Sequence, residues 1–296
     1  MHSAEVRMDW QKGERSQNVE VDSGGGGGGP RFGGGRGMGI GGIVILAILG
    51  LVFFKDPTAL LSQVDGGGQQ VSAPSNGQPY TPDPRQKDFV SAVLGSTEKT
   101  WGAIFAEHGK TYTDPKLVLF QGGVSTACGA ASSAVGPFYC PGDQQVYLDL
   151  GFFTELETRF HTVGDFARAY VIAHEVGHHV QNLIGVFAQV DQARRRGARM
   201  EGADGLSVRQ ELQADCFAGV WANRTQQRLQ WLQEGDVESA LNAASQIGDD
   251  NLQKQAQGRV VPDSFTHGTS AQRVKWFTAG FKSGDMGACN TFSGPV

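Results

Sequence analysis

Residues 166–183 are apolar at helical spacing and carry Ala173-His174-Glu175-Val176-Gly177-His178-His179. On an α-helix His174 and His178 stand at i and i+4, one turn apart on one face, so two imidazoles can converge on one metal ion. Glu175 projects beside them, where a carboxylate can take a proton from an attacking water. A catalytic zinc needs a third protein ligand and an open position, so the fold must press a second element against this helix. Residues 208–217 offer one. Glu211 and Asp215 are again at i and i+4, and Ala214, Phe217, Ala218, Val220, Trp221 and Ala222 around them mark a buried helix. Buried carboxylates need partners, and a metal and a histidine supply two. Glu211 is the expected third ligand, with Asp215 accepting the free ring N–H of a liganding histidine. Gly177, between the histidines, leaves room for another segment to pack close. Each pattern alone also describes a packed or solvated helix face; together they favour a Zn2+ site.

The surrounding chain reads as an α+β domain over 84–296. Asp83 as N-cap and Pro84 as first helical residue, followed by Phe89, Val93, Thr97, Trp101, Ile104 and Phe105, predict a helix over 84–108. Lys-Leu-Val-Leu-Phe-Gln at 116–121 predicts a short strand, and 137–141 with 144–150 predict a hairpin turning at Pro141-Gly142-Asp143. Helical periodicity then covers 164–184, 207–233, 236–256 and 270–282. One helix, a small strand set and several helices is an α+β order. The strand at 144–150 is either an ordinary hairpin arm or a sheet edge that an extended peptide could join.

Ahead of that domain the chain changes character. Of 43 glycines, 19 fall in the first 80 residues, with no Gly-X-Y period, which excludes collagen. Residues 1–37 read as a disordered Gly-rich tail and 55–83 as a linker. Between them, 38–54 carries no charge, and at helical rise its length is roughly 25 Å, near a bilayer span. Glycine-rich flanks give it no core to join, so a single transmembrane helix is expected. Arg31 and Arg36 before it, against Lys55 after it, place the N-terminus in the cytoplasm and the domain outside.

Gly136-Pro137-Phe138-Tyr139-Cys140-Pro141, Tyr147-Leu148-Asp149, residues 174–181, Gln210-Glu211-Leu212-Gln213-Ala214-Asp215-Cys216 and Thr266-His267-Gly268-Thr269-Ser270-Ala271-Gln272-Arg273 form a specific set. It resembles the bacterial neutral zinc metallopeptidase family of the YpfJ type, over about 60–296. The resemblance implies a bacterial zincin-like (gluzincin) domain with Glu211 as third zinc ligand, which the span expected at 38–54 would place on the inner membrane. The His267…Arg273 spacing is similar to the His-Pro…Arg segment of membrane gluzincins of the HtpX and CAAX-protease type, with Gly268 in place of proline. That likeness implies that His267 hydrogen-bonds the developing oxyanion or the substrate backbone and that Arg273 braces the site. A loop histidine and a solvated arginine are the other description of the same residues.

Cys128, Cys140, Cys216 and Cys289 allow three pairings, of which Cys128–Cys140 with Cys216–Cys289 is the most economical. Four reduced buried thiols are the other state. A net charge of -5 gives no basic field to recruit nucleic acid. The expected protein is a membrane-anchored zinc metalloendopeptidase acting on protein or peptide substrates. The alternative is a membrane-tethered zinc-binding interaction or scaffolding module, whose metal would have a fourth protein ligand such as His179 or Cys216.

Overall fold

The computed structural model describes residues 8–22, 80–158 and 164–296. Asp83 starts helix α1 (Pro84–Glu107), its side chain accepting the backbone N–H groups of Arg85 and Gln86 at 3.0 and 2.9 Å. These are the donors a first helical turn leaves without partners. The periodic residues Phe89, Val93, Trp101, Ile104 and Phe105 are all buried, each large side chain contributing about 1.5–3 kcal/mol.

A four-stranded sheet follows, in the order β1 (Val19–Val21), β2 (Lys116–Phe120), β6 (Gln145–Asp149) and β5 (Phe138–Cys140). β1–β2 and β2–β6 are parallel and β5–β6 antiparallel. The β5–β6 hairpin closes through Gln144 N–H to the Cys140 carbonyl at 2.9 Å, with Gln144 at φ 60°. β6 is therefore interior, paired with β2 along its length and with β5 over Gln145–Tyr147, and is not a sheet edge; β1 and β5 are the edges among the described residues. A separate hairpin, β3 (Gly123–Thr126) with β4 (Gly129–Ser132), precedes it.

The helical layer consists of α2 (Gly151–Thr158), α3 (Asp165–Leu183), α4 (Val186–Arg195), α5 (Leu206–Leu229), α6 (Asp236–Gln246), α7 (Asp249–Gln257) and α8 (Ser270–Ser283). The helix expected over 236–256 breaks at Gly248, which is extended, and a Cβ there would stand 2.5 Å from Ser270 N. α8 begins with a capping box between Thr269 and Gln272.

Two close crossings, marked by three glycines, position the site. A Cβ on Gly177 would lie 3.0 Å from the Ala214 carbonyl oxygen, so the absent side chain lets α3 and α5 approach as the spacing suggested. Gly219 and Gly280 do the same for α5 and α8, where a Cβ would stand 2.1 Å from Phe277 O and 1.9 Å from Cys216 O respectively. Gly280→Ala is thus expected to force these backbones apart at a cost of about 1–3 kcal/mol. Thermal melts check this, and an unchanged melting temperature would refute it.

The N-terminal segment is part of this body. Met8 and Trp10 are buried in the core, and Trp10 Nε1 donates to Asp165 Oδ2 at 3.0 Å. Arg15 pairs with Asp88, Glu14 with Arg228, and Val19–Val21 lie in register with Leu117, Val118 and Leu119. This corrects the expected architecture. A chain crossing a bilayer once at 38–54 would hold residues 8–22 and 84–296 on opposite sides, yet they share one sheet and one core. Among the described residues no helix is long and apolar enough to cross a membrane, and 38–54 itself lies outside them. The single-pass helix, the membrane anchoring and the inner-membrane placement are withdrawn. The tail expected over 1–37 likewise contains folded structure at 8–22.

Both economical cysteine pairs are disulfides: Cys128–Cys140 ties the β3–β4 turn to β5, and Cys216–Cys289 ties α5 to the C-terminal segment.

Candidate metal centre

α3 supplies His174 and His178, and α5 supplies Glu211 across the Gly177 crossing. Their ligand atoms all lie within 4.8 Å of one another. His174 Nε2 stands 3.1 Å from Glu211 Oε2 and His178 Nε2 stands 3.5 Å from Glu211 Oε1. Donors at about 2.0–2.2 Å from a tetrahedral zinc are about 3.4 Å apart, close to the two histidine–Glu211 separations, so these residues suit the ion. All three side chains are nearly buried, with His174 at 7 % and His178 at 9 % exposure.

The ring orientations are held from behind. His174 Nδ1 is 2.9 Å from Asp215 Oδ1, and an ionised carboxylate can only accept, so the ring is Nδ1–H with Nε2 toward Glu211. Asp215 is fully buried and receives further hydrogen bonds from Tyr170 Oη (2.5 Å), Arg273 Nε (2.9 Å) and Arg273 Nη2 (2.9 Å). Arg273 also reaches the Ile247 carbonyl. Burial alone would raise the Asp215 pKa, but Arg273 and His174 hold it down to about 2. Burial opposes a charge on His174, yet Asp215 and then Glu211 lift its pKa to about 10 when no metal is bound. Glu211 is kept well below the usual carboxylate range against its burial, first by His178 and then by His174.

Glu175 is 8 % exposed, and burial raises its pKa against the opposing pull of the two histidines. Among the described residues no hydrogen bond holds its carboxyl, in contrast to Glu211 and Asp215. His267 lies in the loop before α8. Its Nδ1 is 2.9 Å from Thr266 Oγ1 and 3.2 Å from Asp249 Oδ1, and Asp249 Oδ2 also accepts the backbone N–H groups of Thr266, His267 and Gly268. His267 Nε2 has no partner among the described residues.

Two residues considered as further ligands are engaged elsewhere. Cys216 is in its disulfide. His179 places Nδ1 3.1 Å from Tyr139 Oη and Nε2 2.7 Å from the Thr113 carbonyl.

A family model described as "Putative neutral zinc metallopeptidase" matches residues 8–292. The chain belongs to this family. The match begins at the N-terminal segment that completes the sheet. Relatives include the uncharacterized protein YpfJ of Escherichia coli K12, 48% identical over 292 residues, which cover 96% of this chain and 99% of that one. Another is the uncharacterized protein Rv2575 of Mycobacterium tuberculosis, 47% identical over 215 residues, covering 69% and 71%. No solved structure matches.

Tyr170 and Asp249 have no place in the sequence reading and Gln181 has no role in it, although each touches a site residue. Tyr170 precedes His174 by one turn and Gln181 follows His178 by three residues, so helical spacing alone could have found both. Asp249 is 18 residues from His267, and no local pattern announces it.

Proposed function

We propose that this protein is a zinc-dependent endopeptidase, with His174, His178 and Glu211 holding the ion and Glu175 acting as general base. The observation that carries this reading is a three-donor set, with His179 and Cys216, the two residues weighed as a fourth ligand, committed elsewhere. A structural zinc is closed by a fourth protein donor, whereas a catalytic one keeps a position open, so the arrangement favours catalysis over a scaffolding module. Bound zinc supplies Lewis-acid polarisation and makes a water acidic enough to be used at neutral pH.

The residues do the rest. Glu175, whose carboxyl no hydrogen bond holds among the described residues, accepts the proton of the attacking water and returns it to the leaving amine. Burial raises its affinity for that proton, which suits a group that must hold it between the two steps. Asp249 accepts Nδ1–H of His267 and favours the protonated ring, whose Nε2–H then donates to the carbonyl oxygen as negative charge develops there. Arg273 acts one step back: it holds Asp215, and Asp215 holds His174.

Chelation is expected to abolish hydrolysis of a quenched-fluorescence peptide library, and stoichiometric zinc to restore it. Equal hydrolysis by the metal-free protein would overturn the zinc assignment. Zinc bound with four protein donors in an X-ray absorption spectrum, and no hydrolysis, would favour the scaffolding module instead.

A further inference from the structure

The two histidines are oriented by unlike partners: His174 by a carboxylate, His178 by a neutral chain of amides. His178 Nδ1 is 2.9 Å from Gln181 Oε1. Gln181 is fully buried, and its Nε2 donates to the Gln210 carbonyl at 2.7 Å and to Gln213 Oε1 at 3.0 Å. Gln213 Nε2 in turn donates to the backbone carbonyl of Cys289 at 3.0 Å. The disulfide to Cys216 holds that carbonyl beside α5, the helix that also carries Glu211.

The direction of every hydrogen bond follows from the main-chain ends. Carbonyl oxygens only accept, so Gln213 must turn its N–H group to Cys289 and its oxygen to Gln181. Gln181 must then donate to both Gln213 and Gln210, which spends its two N–H donors. Its oxygen is left facing His178, which has to donate Nδ1–H. Neutral His178 is thereby confined to one tautomer, with the Nε2 lone pair toward Glu211. A carboxylate in place of Gln181 could not donate twice, and a methionine could do neither.

Resting on the zinc reading above, we propose that Gln181 and Gln213, anchored by the Cys216–Cys289 crosslink, are positioning residues that lock His178 for metal binding. The relay joins the crosslink to the metal through three side chains, and its effect is on metal affinity rather than on the bond-breaking step.

The test compares zinc affinity, by competition with a chromophoric chelator, and the visible spectrum of the cobalt(II)-loaded protein. Gln181→Met, close in volume, is expected to weaken zinc binding about 10–100-fold and to shift the cobalt bands. Gln213→Met is expected to lose about 2–10-fold. Cys216→Ala/Cys289→Ala is expected to match Gln213→Met and to add nothing when combined with it, because both break the same link. Zinc affinity within about twofold of the unaltered protein, with unchanged cobalt bands, in Gln181→Met would overturn the relay. Should Gln181→Met lack a cooperative melt, unaltered zinc affinity in both Gln213→Met and the cysteine double variant would overturn it equally. Failure of the unaltered protein to bind zinc would instead sink the metal-site reading, and the relay with it.

Discussion

Glu175→Gln is expected to keep zinc bound and to lower turnover of a cleavable peptide by about 10²–10⁴-fold. The substitution preserves shape and removes only the capacity to take a proton. None of the hydrogen bonds that orient His174, His178 and Glu211 passes through Glu175, so the ligand set should survive intact. The loss should therefore appear in kcat, with zinc stoichiometry and KM little changed. The measurement pairs metal analysis with steady-state hydrolysis, and a variant that binds zinc and retains full turnover would remove Glu175 from the mechanism. The same variant, once shown to hold substrate without cutting it, is suited to trapping protein substrates for identification.

The parts of this site that were legible in the sequence share one property: each is a pair on one helix. His174 with His178, and Glu211 with Asp215, announce themselves at i and i+4 because a helix repeats every 3.6 residues. That the two helices meet was also legible, since Gly177 has no other reason to sit between two histidines on an apolar helix. What escaped was long-range. Asp249 reaches His267 through the break between α6 and α7, and a helical pattern read straight through 236–256 hides that break. The N-terminal segment pairs Glu20 with Lys116 across a sequence separation of 96. Met8 and Trp10 are isolated apolar residues among polar ones, so no periodicity flags them as core.

The membrane expectation failed for the same physical reason. Absence of charge over 38–54 is a local property, and the glycine-rich flanks and the Arg31, Arg36 and Lys55 charges are local too. Whether a single crossing is allowed depends on the segments at either end, and those are joined by β1–β2 pairing. Topology overrides hydropathy here.

Asp215→Asn is expected to be the most destabilising single change at the site. It leaves the Arg273 guanidinium, 2 % exposed, without its counter-charge, and breaking one partner of a buried pair costs about 3–5 kcal/mol. Asp215→Leu with Arg273→Met removes both charges and should cost clearly less than the single change, a difference thermal melts of the metal-free proteins will resolve; equal losses would mean the pair's charge is immaterial. The pH dependence separates the two partners of Asp215. Its folded pKa of about 2 lies below the ordinary carboxylate value of 3.8. Its contribution is therefore present above pH 3.8 and lost as pH falls through about 2. His174, raised from 6.5 to about 10 without metal, contributes fully below pH 6.5 and progressively less as pH rises through 10. Zinc must displace the His174 proton, so it binds more weakly where that proton is held most firmly. The melting temperatures of zinc-loaded and zinc-free protein should accordingly diverge as pH is raised from 6 to 9, as zinc affinity grows and the metal-free protein loses part of the His174 contribution. A gap that narrows over that range would contradict the assignment of His174 as a ligand backed by Asp215.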